Sequence, residues 1–312
     1  MRIAFHLKQH LVLIIAFFIF ILASIINNNF LTVNNMYGFL IQLPAYGAAA
    51  LALTFCLICG ELNITMGSII AFSGVVFAIT VGNFGFIFAW IITLLLCSVF
   101  GIITGIVVAY LKIDSFVATL SMLILINGIT LAVCNTQPVV VTDPVTVAFG
   151  GGSIGPIPIM TIVFVIIIII AEFILKNTVF GRNIYAVGGN AEIAKSIGIN
   201  VKFYKFIVFV IFSVLAGIGG IFLMARMNTG SPIVGGDAPL STIPMAIIGG
   251  TALSGGKGGA FNTFVGILFM SLLFNVMQIM GIALNVQTFA KGIILLSIIV
   301  WDKYNANRDR KV

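Results

Sequence analysis

The run Glu61-Leu62-Asn63-Ile64-Thr65-Met66-Gly67-Ser68 sets a carboxylate, an amide and two hydroxyls inside an otherwise apolar stretch. A carboxylate beside a membrane span is costly unless it faces water, a partner or the protein interior. Glu61, Asn63, Thr65 and Ser68 are therefore candidates for lining a translocation pathway, where such groups would hydrogen-bond a hydroxylated solute. The same groups could instead cap broken helix ends and never touch solute.

Other reactive residue types form no constellation. Cys56-Leu57-Ile58-Cys59 imitates a redox C-x-x-C, but no βαβ pattern surrounds it, and all four cysteines (with Cys97 and Cys134) lie in or at the end of apolar runs, where helix packing explains them. His6 and His10 both stand before or at the first apolar run. The stretch Ser254-Gly255-Gly256-Lys257-Gly258-Gly259 resembles a phosphate loop, yet Thr251 and Gly258 occupy the places where the Walker pattern requires Gly and Ser or Thr. No catalytic residue, metal site or cofactor is expected.

The chain that holds these groups is 61% hydrophobic and 7% charged over 312 residues, against about 25% charged in a soluble domain. The sequence predicts one all-α polytopic membrane domain over residues 1–312, with about ten transmembrane helices. Apolar runs fall near 11–28, 39–59, 66–82, 84–111, 115–134, 157–175, 206–225, 243–255, 261–280 and 286–301. Glycine and polar interruptions predict broken or re-entrant segments near residues 60–68 and 243–260.

The net charge of +7 is scattered between apolar runs, so no basic face for nucleic acid can be assembled. Threaded through ten spans, Arg2, Lys8, Lys112, Lys176, Arg182, Lys195, Lys202, Lys205, Lys257, Lys303, Arg308, Arg310 and Lys311 share one side; Arg226 falls opposite and Lys291 within the last span. By the positive-inside rule, both termini and residues 176–205 are then cytoplasmic. Residues 135–158 and 227–243 form the longest outward connections. An uncleaved first span follows from the lack of a small-residue cleavage site before Asn27-Asn28-Asn29.

Within 176–205, Gly188-Gly189-Asn190-Ala191-Glu192-Ile193-Ala194-Lys195-Ser196-Ile197-Gly198 carries helix start and stop signals: Asn190 as N-cap, Glu192 in the first turn, Gly198 as terminator. Ile193 and Ile197 share a face, with Ala194 beside them. So short a helix does not persist alone in water and should dock on something, whether a partner, its own protein or lipid headgroups.

Together with Phe180-Gly181-Arg182-Asn183, this stretch resembles the cytoplasmic coupling loop of the ribose-type permeases of ABC importers, in the branched-chain and monosaccharide family. Leu31-Thr32-Val33-Asn34-Asn35, Lys112-Ile113-Asp114-Ser115-Phe116 and Gly249-Gly250-Thr251-Ala252-Leu253-Ser254-Gly255-Gly256-Lys257-Gly258 also resemble motifs of that family, in order along the chain. The resemblance implies a permease subunit that dimerises with a second copy or a paralogue in the plasma membrane of a prokaryote (the inner membrane if Gram-negative). It also implies a cytoplasmic ABC ATPase subunit and an extracytoplasmic solute-binding protein as partners, and Gly189, Asn190, Glu192, Ile193, Ala194, Ile197 and Gly198 as ATPase-coupling residues. The expected solute is a monosaccharide or similar small hydroxylated molecule. Nucleosides, sugar-like signalling molecules and, with a different mechanism, an ion-coupled secondary transporter are the alternatives. The chain departs from the family's third-span motif by carrying Asn63 for Asp and Thr65 for Ser, which bears on the solute and on whether both halves of the dimer are this chain.

Overall fold

The computed structural model describes residues 2–309, with side chains from 14 to 300, and among these residues it is mostly helical. The terminal basic residues Arg2, Lys8, Lys303, Arg308, Arg310 and Lys311, on which the placement of the termini partly rests, lie outside the described side chains. Seven described helices are long and apolar enough to cross a membrane: α2 (Val33–Ile58), α3 (Met66–Phe84), α4 (Phe86–Ala109), α5 (Ser115–Val133), α7 (Ile159–Asn177), α10 (Val201–Met227) and α12 (Ala260–Ile279). Shorter apolar stretches occur in α1 (Arg2–Ile26), α11 (Ala238–Ile248) and α13 (Leu284–Asp309). The count of about ten spans is thus not fixed by length and composition.

The centre of the bundle is α2. From Leu43 to Cys59 every residue but Tyr46 is buried, because this stretch is apolar on all faces and rich in alanine, so neighbours can pack all around it. Polar pairs tie it to the antiparallel α12. The Thr54 and Thr263 hydroxyls lie 2.6 Å apart, and Asn35 and Asn275 exchange amide hydrogen bonds of 2.9 and 3.1 Å. Such interhelical bonds are worth about 0.6 kcal/mol each in a membrane, so they fix register more than stability. On the other side α10 packs against α2, α3 and α4. Isoleucine, leucine and phenylalanine on α4, α5 and α7 remain exposed, as a lipid-facing surface requires.

At one end of the bundle, near Met227, lie α6 (Pro144–Gly151), the short β2–β3 hairpin (Ser153–Ile154, Ile157–Pro158) and an antiparallel pair of β1 (Val139–Val140) with β4 (Thr229–Gly230). At the other end lie α8 (Val179–Gly189) and α9 (Ala191–Ser196). Asp114 caps α5 by accepting from the Phe116 and Val117 amides, and Asn200 caps α10 by accepting from Phe203.

Candidate functional site

The short helix α9 has the boundaries its sequence signals. The Asn190 carboxamide accepts hydrogen bonds from the Glu192 and Ile193 amides at 3.0 and 3.1 Å. At the far end Gly198 takes φ +86°, its amide donates to Lys195 and the Ile199 amide to Ala194, a Schellman stop that favours glycine. Ala194 turns inward and is buried, while Ile193 and Ile197 are 61% and 68% exposed on the outer face of the turn. Of the residues singled out as coupling residues, only Ala194 packs inward; Gly189, Asn190, Glu192 and Gly198 are exposed with the two isoleucines.

Both flanks of α9 grip the same place, the break between α2 and α3. On the entering side, a β-carbon at Gly188 would stand 1.8 Å from the Ile58 carbonyl oxygen. That carbonyl also accepts the Gly256 amide at 2.9 Å, and Gly255 lies against Gly60 and Gly188. Backbone therefore meets backbone where α2 ends, α8 ends and the 249–259 turn closes, an approach that side chains would hold apart. Tyr185 on α8 reaches across to donate to the Gly258 carbonyl at 2.8 Å. Burial first, and then the charge of Glu172, push its phenol up to about 12, so it stays a neutral donor. On the leaving side, Lys205 in the second turn of α10 forms an ion pair with Glu61.

Glu61 is thus buried against a partner that the sequence reading did not name. Asn63, Thr65 and Ser68 hold one another. The Asn63 carboxamide oxygen accepts from the Thr65 amide at 2.9 Å and hydroxyl at 2.7 Å, and the Ser68 hydroxyl donates to the Thr65 carbonyl at 2.9 Å. All three are buried within the single chain.

The break is long. Glu61 is level with Lys205 of α10, whereas Ile70 packs on Gly220, fifteen residues and so about 22 Å further along that helix. Nine residues of helix would climb only about 14 Å; the chain covers the distance because residues 61–64 run without helix and α3 starts only at Met66, near the middle of α10. A second irregular segment meets it there. The connection expected to lie outside from Met227 to Ile243 instead turns into the bundle and becomes helical at Ala238. A β-carbon at Gly67 would stand 2.2 Å from the Gly235 carbonyl oxygen, and Asp237 reaches the Tyr46 hydroxyl of α2 at 3.0 Å. The hydropathy run beginning at Ile243 concealed this entry, although Gly235-Gly236 marked it.

Among the described residues, no group of three or more His, Cys, Asp or Glu gathers to hold a metal, and Cys56, Cys59, Cys97 and Cys134 are buried free thiols.

Residues 35–301 match the family described as branched-chain amino acid transport system / permease component. The chain is 32% identical over 287 residues to the ribose import permease protein of Escherichia coli (strain K12), covering 90% of this chain and 89% of that protein. It is 30% identical over 290 residues to the ribose import permease protein of Bacillus subtilis (strain 168), with 92% and 90% covered. To the L-arabinose ABC transporter permease protein of Azospirillum brasilense it is 29% identical over 290 residues, with 90% and 84% covered. No solved structure matches the chain.

Proposed function

Since this chain belongs to the branched-chain amino acid transport system / permease component family, it is a multi-pass transport subunit of an ABC importer and not an enzyme, and we propose that the solute it passes is a monosaccharide. The named substrates of the relatives, ribose and L-arabinose, support a pentose or a sugar of similar size. The polar, uncharged character of most of the groups inside the bundle fits such a solute.

The observation that carries the mechanism is the double grip of α9 on the α2–α3 break. We assign the α9 end to the cytoplasm, the end bearing α6 to the outside, and ten spans to the chain, in accord with the basic residues at 176–205. Ile193 and Ile197, exposed on a two-turn helix held from both sides, then form the contact for a separate ATPase. Movement of α9 cannot be absorbed by a flexible linker: Gly188 pushes on the end of α2, and Lys205 pulls on Glu61. ATP-driven displacement thereby reaches the middle of the membrane, where α3 begins. A solute-binding protein would deliver sugar at the opposite end, and a second copy or a paralogue would complete the pathway. Glu61, Asn63, Thr65 and Ser68 hold the break in shape, and through it the pathway. Glu61, Glu172 and Asp237 each have a lysine partner, so none of them stands as the lone carboxylate that the ion-coupled alternative would use.

The test is reconstitution. With its ATPase and binding protein in proteoliposomes, the chain should concentrate labelled D-ribose or L-arabinose only when ATP is present. Uphill uptake by the chain alone, driven by a proton or sodium gradient, would overturn the reading.

A further inference from the structure

Apart from the coupling region, one cluster of charged and polar side chains lies among the helices, at membrane depth on the ten-span reading. Lys291 is the eighth residue of α13, about 10 Å below the end of that helix. Its ammonium donates to the Asp237 carboxylate at 2.6 Å and lies 5.0 Å from the centre of the Phe274 ring of α12. The other oxygen of Asp237 accepts from the Tyr46 hydroxyl at 3.0 Å. One turn along each helix, at i−4 from Tyr46 and i+4 from Phe274, Gln42 and Gln278 meet at 3.4 Å. Four elements thus bring a carboxylate, an ammonium, a phenol, two carboxamides and an aromatic ring to one place.

Two features separate this cluster from an internal brace. Lys291 is tucked in, its side chain 12% exposed, yet that of Asp237 is 40% exposed. A carboxylate open to that extent at membrane depth is tolerated only against water or protein, not lipid. The cluster also retains unused capacity: an ionised carboxylate has about four acceptor sites and an ammonium three donors, and the bonds described leave part of each open. The Asp237 charge is balanced by Lys291, and one further cation, Arg226 of α10, stands near enough to Tyr46 to act on it electrostatically, so the central pair favours neither ion while a cation flanks it. A neutral ligand with adjacent hydroxyls suits it, with hydroxyls donating to the carboxylate, oxygens accepting from the ammonium and amides, and a C–H face lying on the ring.

We infer that Asp237, Lys291 and Tyr46, with Phe274, Gln42 and Gln278 around them, form the solute-contacting site of the permease, a neutral polyol site on a water-filled route in the outer half of the membrane. The ligand class rests on the monosaccharide reading; the exposure of the site to water does not. The buried residues of the α2–α3 break, by contrast, are occupied with one another and serve coupling. Since a carrier must release its solute, the site is weak and few-contact, and discriminates among sugars delivered to it.

The experiment has two arms. In a variant with all four cysteines replaced, Asp237→Cys is exposed in proteoliposomes to a membrane-impermeant methanethiosulfonate from each face. Labelling from at least one face is expected, and labelling from neither would place the residue in a closed subunit contact and overturn the proposal. In the second arm the complete importer is assayed for uptake of D-ribose, L-arabinose, D-xylose and D-galactose. Where wild type concentrates one of these, the charge-neutral pair Asp237→Asn with Lys291→Gln should assemble to normal levels, stimulate ATP hydrolysis within twofold of wild type, and lose uptake at least tenfold. Tyr46→Phe should change the ratio of uptake between two sugars severalfold. Normal uptake by the neutral pair, or loss of ATPase stimulation in step with uptake, would overturn the assignment while leaving the monosaccharide reading intact. If wild type concentrates none of the four sugars, the monosaccharide reading fails and the polyol assignment with it.

Discussion

The α-carbon of Gly188 lies so close to the carbonyl oxygen of Ile58 that a single added methyl group would approach that oxygen to 1.8 Å. Neither partner is the tip of a flexible side chain, so the backbone of α8 or of α2 would have to shift. The neighbouring Gly189 has nothing within 4 Å of the same position. Gly188→Ala should therefore lower ATP-driven uptake at least tenfold and Gly189→Ala by less than twofold, measured side by side at equal membrane levels. Equal effects of the two would show that helix propensity, not contact, is at issue.

The buried Glu61 and the half-buried Lys205 form an ion pair on the other flank. Removing either partner strands a charge, so Glu61→Ala and Lys205→Ala should each lower the melting temperature in detergent, while the double variant loses less than their sum. A coupling of about 0.5–3 kcal/mol is expected for residues in direct contact. Strict additivity would mean that the pair does not hold the break.

Asn63 accepts from two donors of Thr65, so Asn63→Leu leaves both buried and unpaired, at about 1–3 kcal/mol for each group. Asn63→Asp keeps an acceptor there. Thermal unfolding should rank wild type and Asn63→Asp well above Asn63→Leu, with transport falling alongside stability. A stable Asn63→Leu with impaired uptake would return Asn63 to the solute path.

Ile193 and Ile197 are exposed, so Ile193→Asp combined with Ile197→Asp should leave the melting temperature of the permease within about 1 °C, as surface changes do, and abolish co-purification of the ATPase. Retained association would move the contact to another surface.

In a cysteine-free background, Ser153→Cys and Ser196→Cys should be labelled from opposite faces by an impermeant reagent. Labelling from the same face would end the ten-span arrangement.

Much of this architecture is legible in the residues. The apolar runs locate α2 to α5, α7, α10 and α12, and Asn190 and Gly198 bound α9 because a capping amide and a left-handed glycine act locally. The glycines of 188–189 and 255–256 are also visible, but that they touch each other is not, since sixty-odd residues and three helices separate them. The partner of Glu61 was hidden for the same reason: Lys205 reads as one more inner-side cation until α10 is packed against α2. The inward turn of residues 231–237 escaped because hydropathy averages over a window, and Gly235-Gly236-Asp237 looks like a polar surface loop whichever way it points.

The non-helical stretch from Glu61 to Ile64 also constrains the order in which the protein can be made. While α2 and α3 emerge alone, this backbone lacks the helical bonds that satisfy polar groups in lipid, and Glu61 has no countercharge until Lys205 has been synthesised about 140 residues later, some seconds to tens of seconds at ordinary elongation rates. Until α10 arrives, the hairpin cannot settle in hydrocarbon without cost and must be shielded by the insertion machinery or held near the interface. Nascent-chain arrest before and after residue 205 should accordingly separate a shielded hairpin from one released into the bilayer.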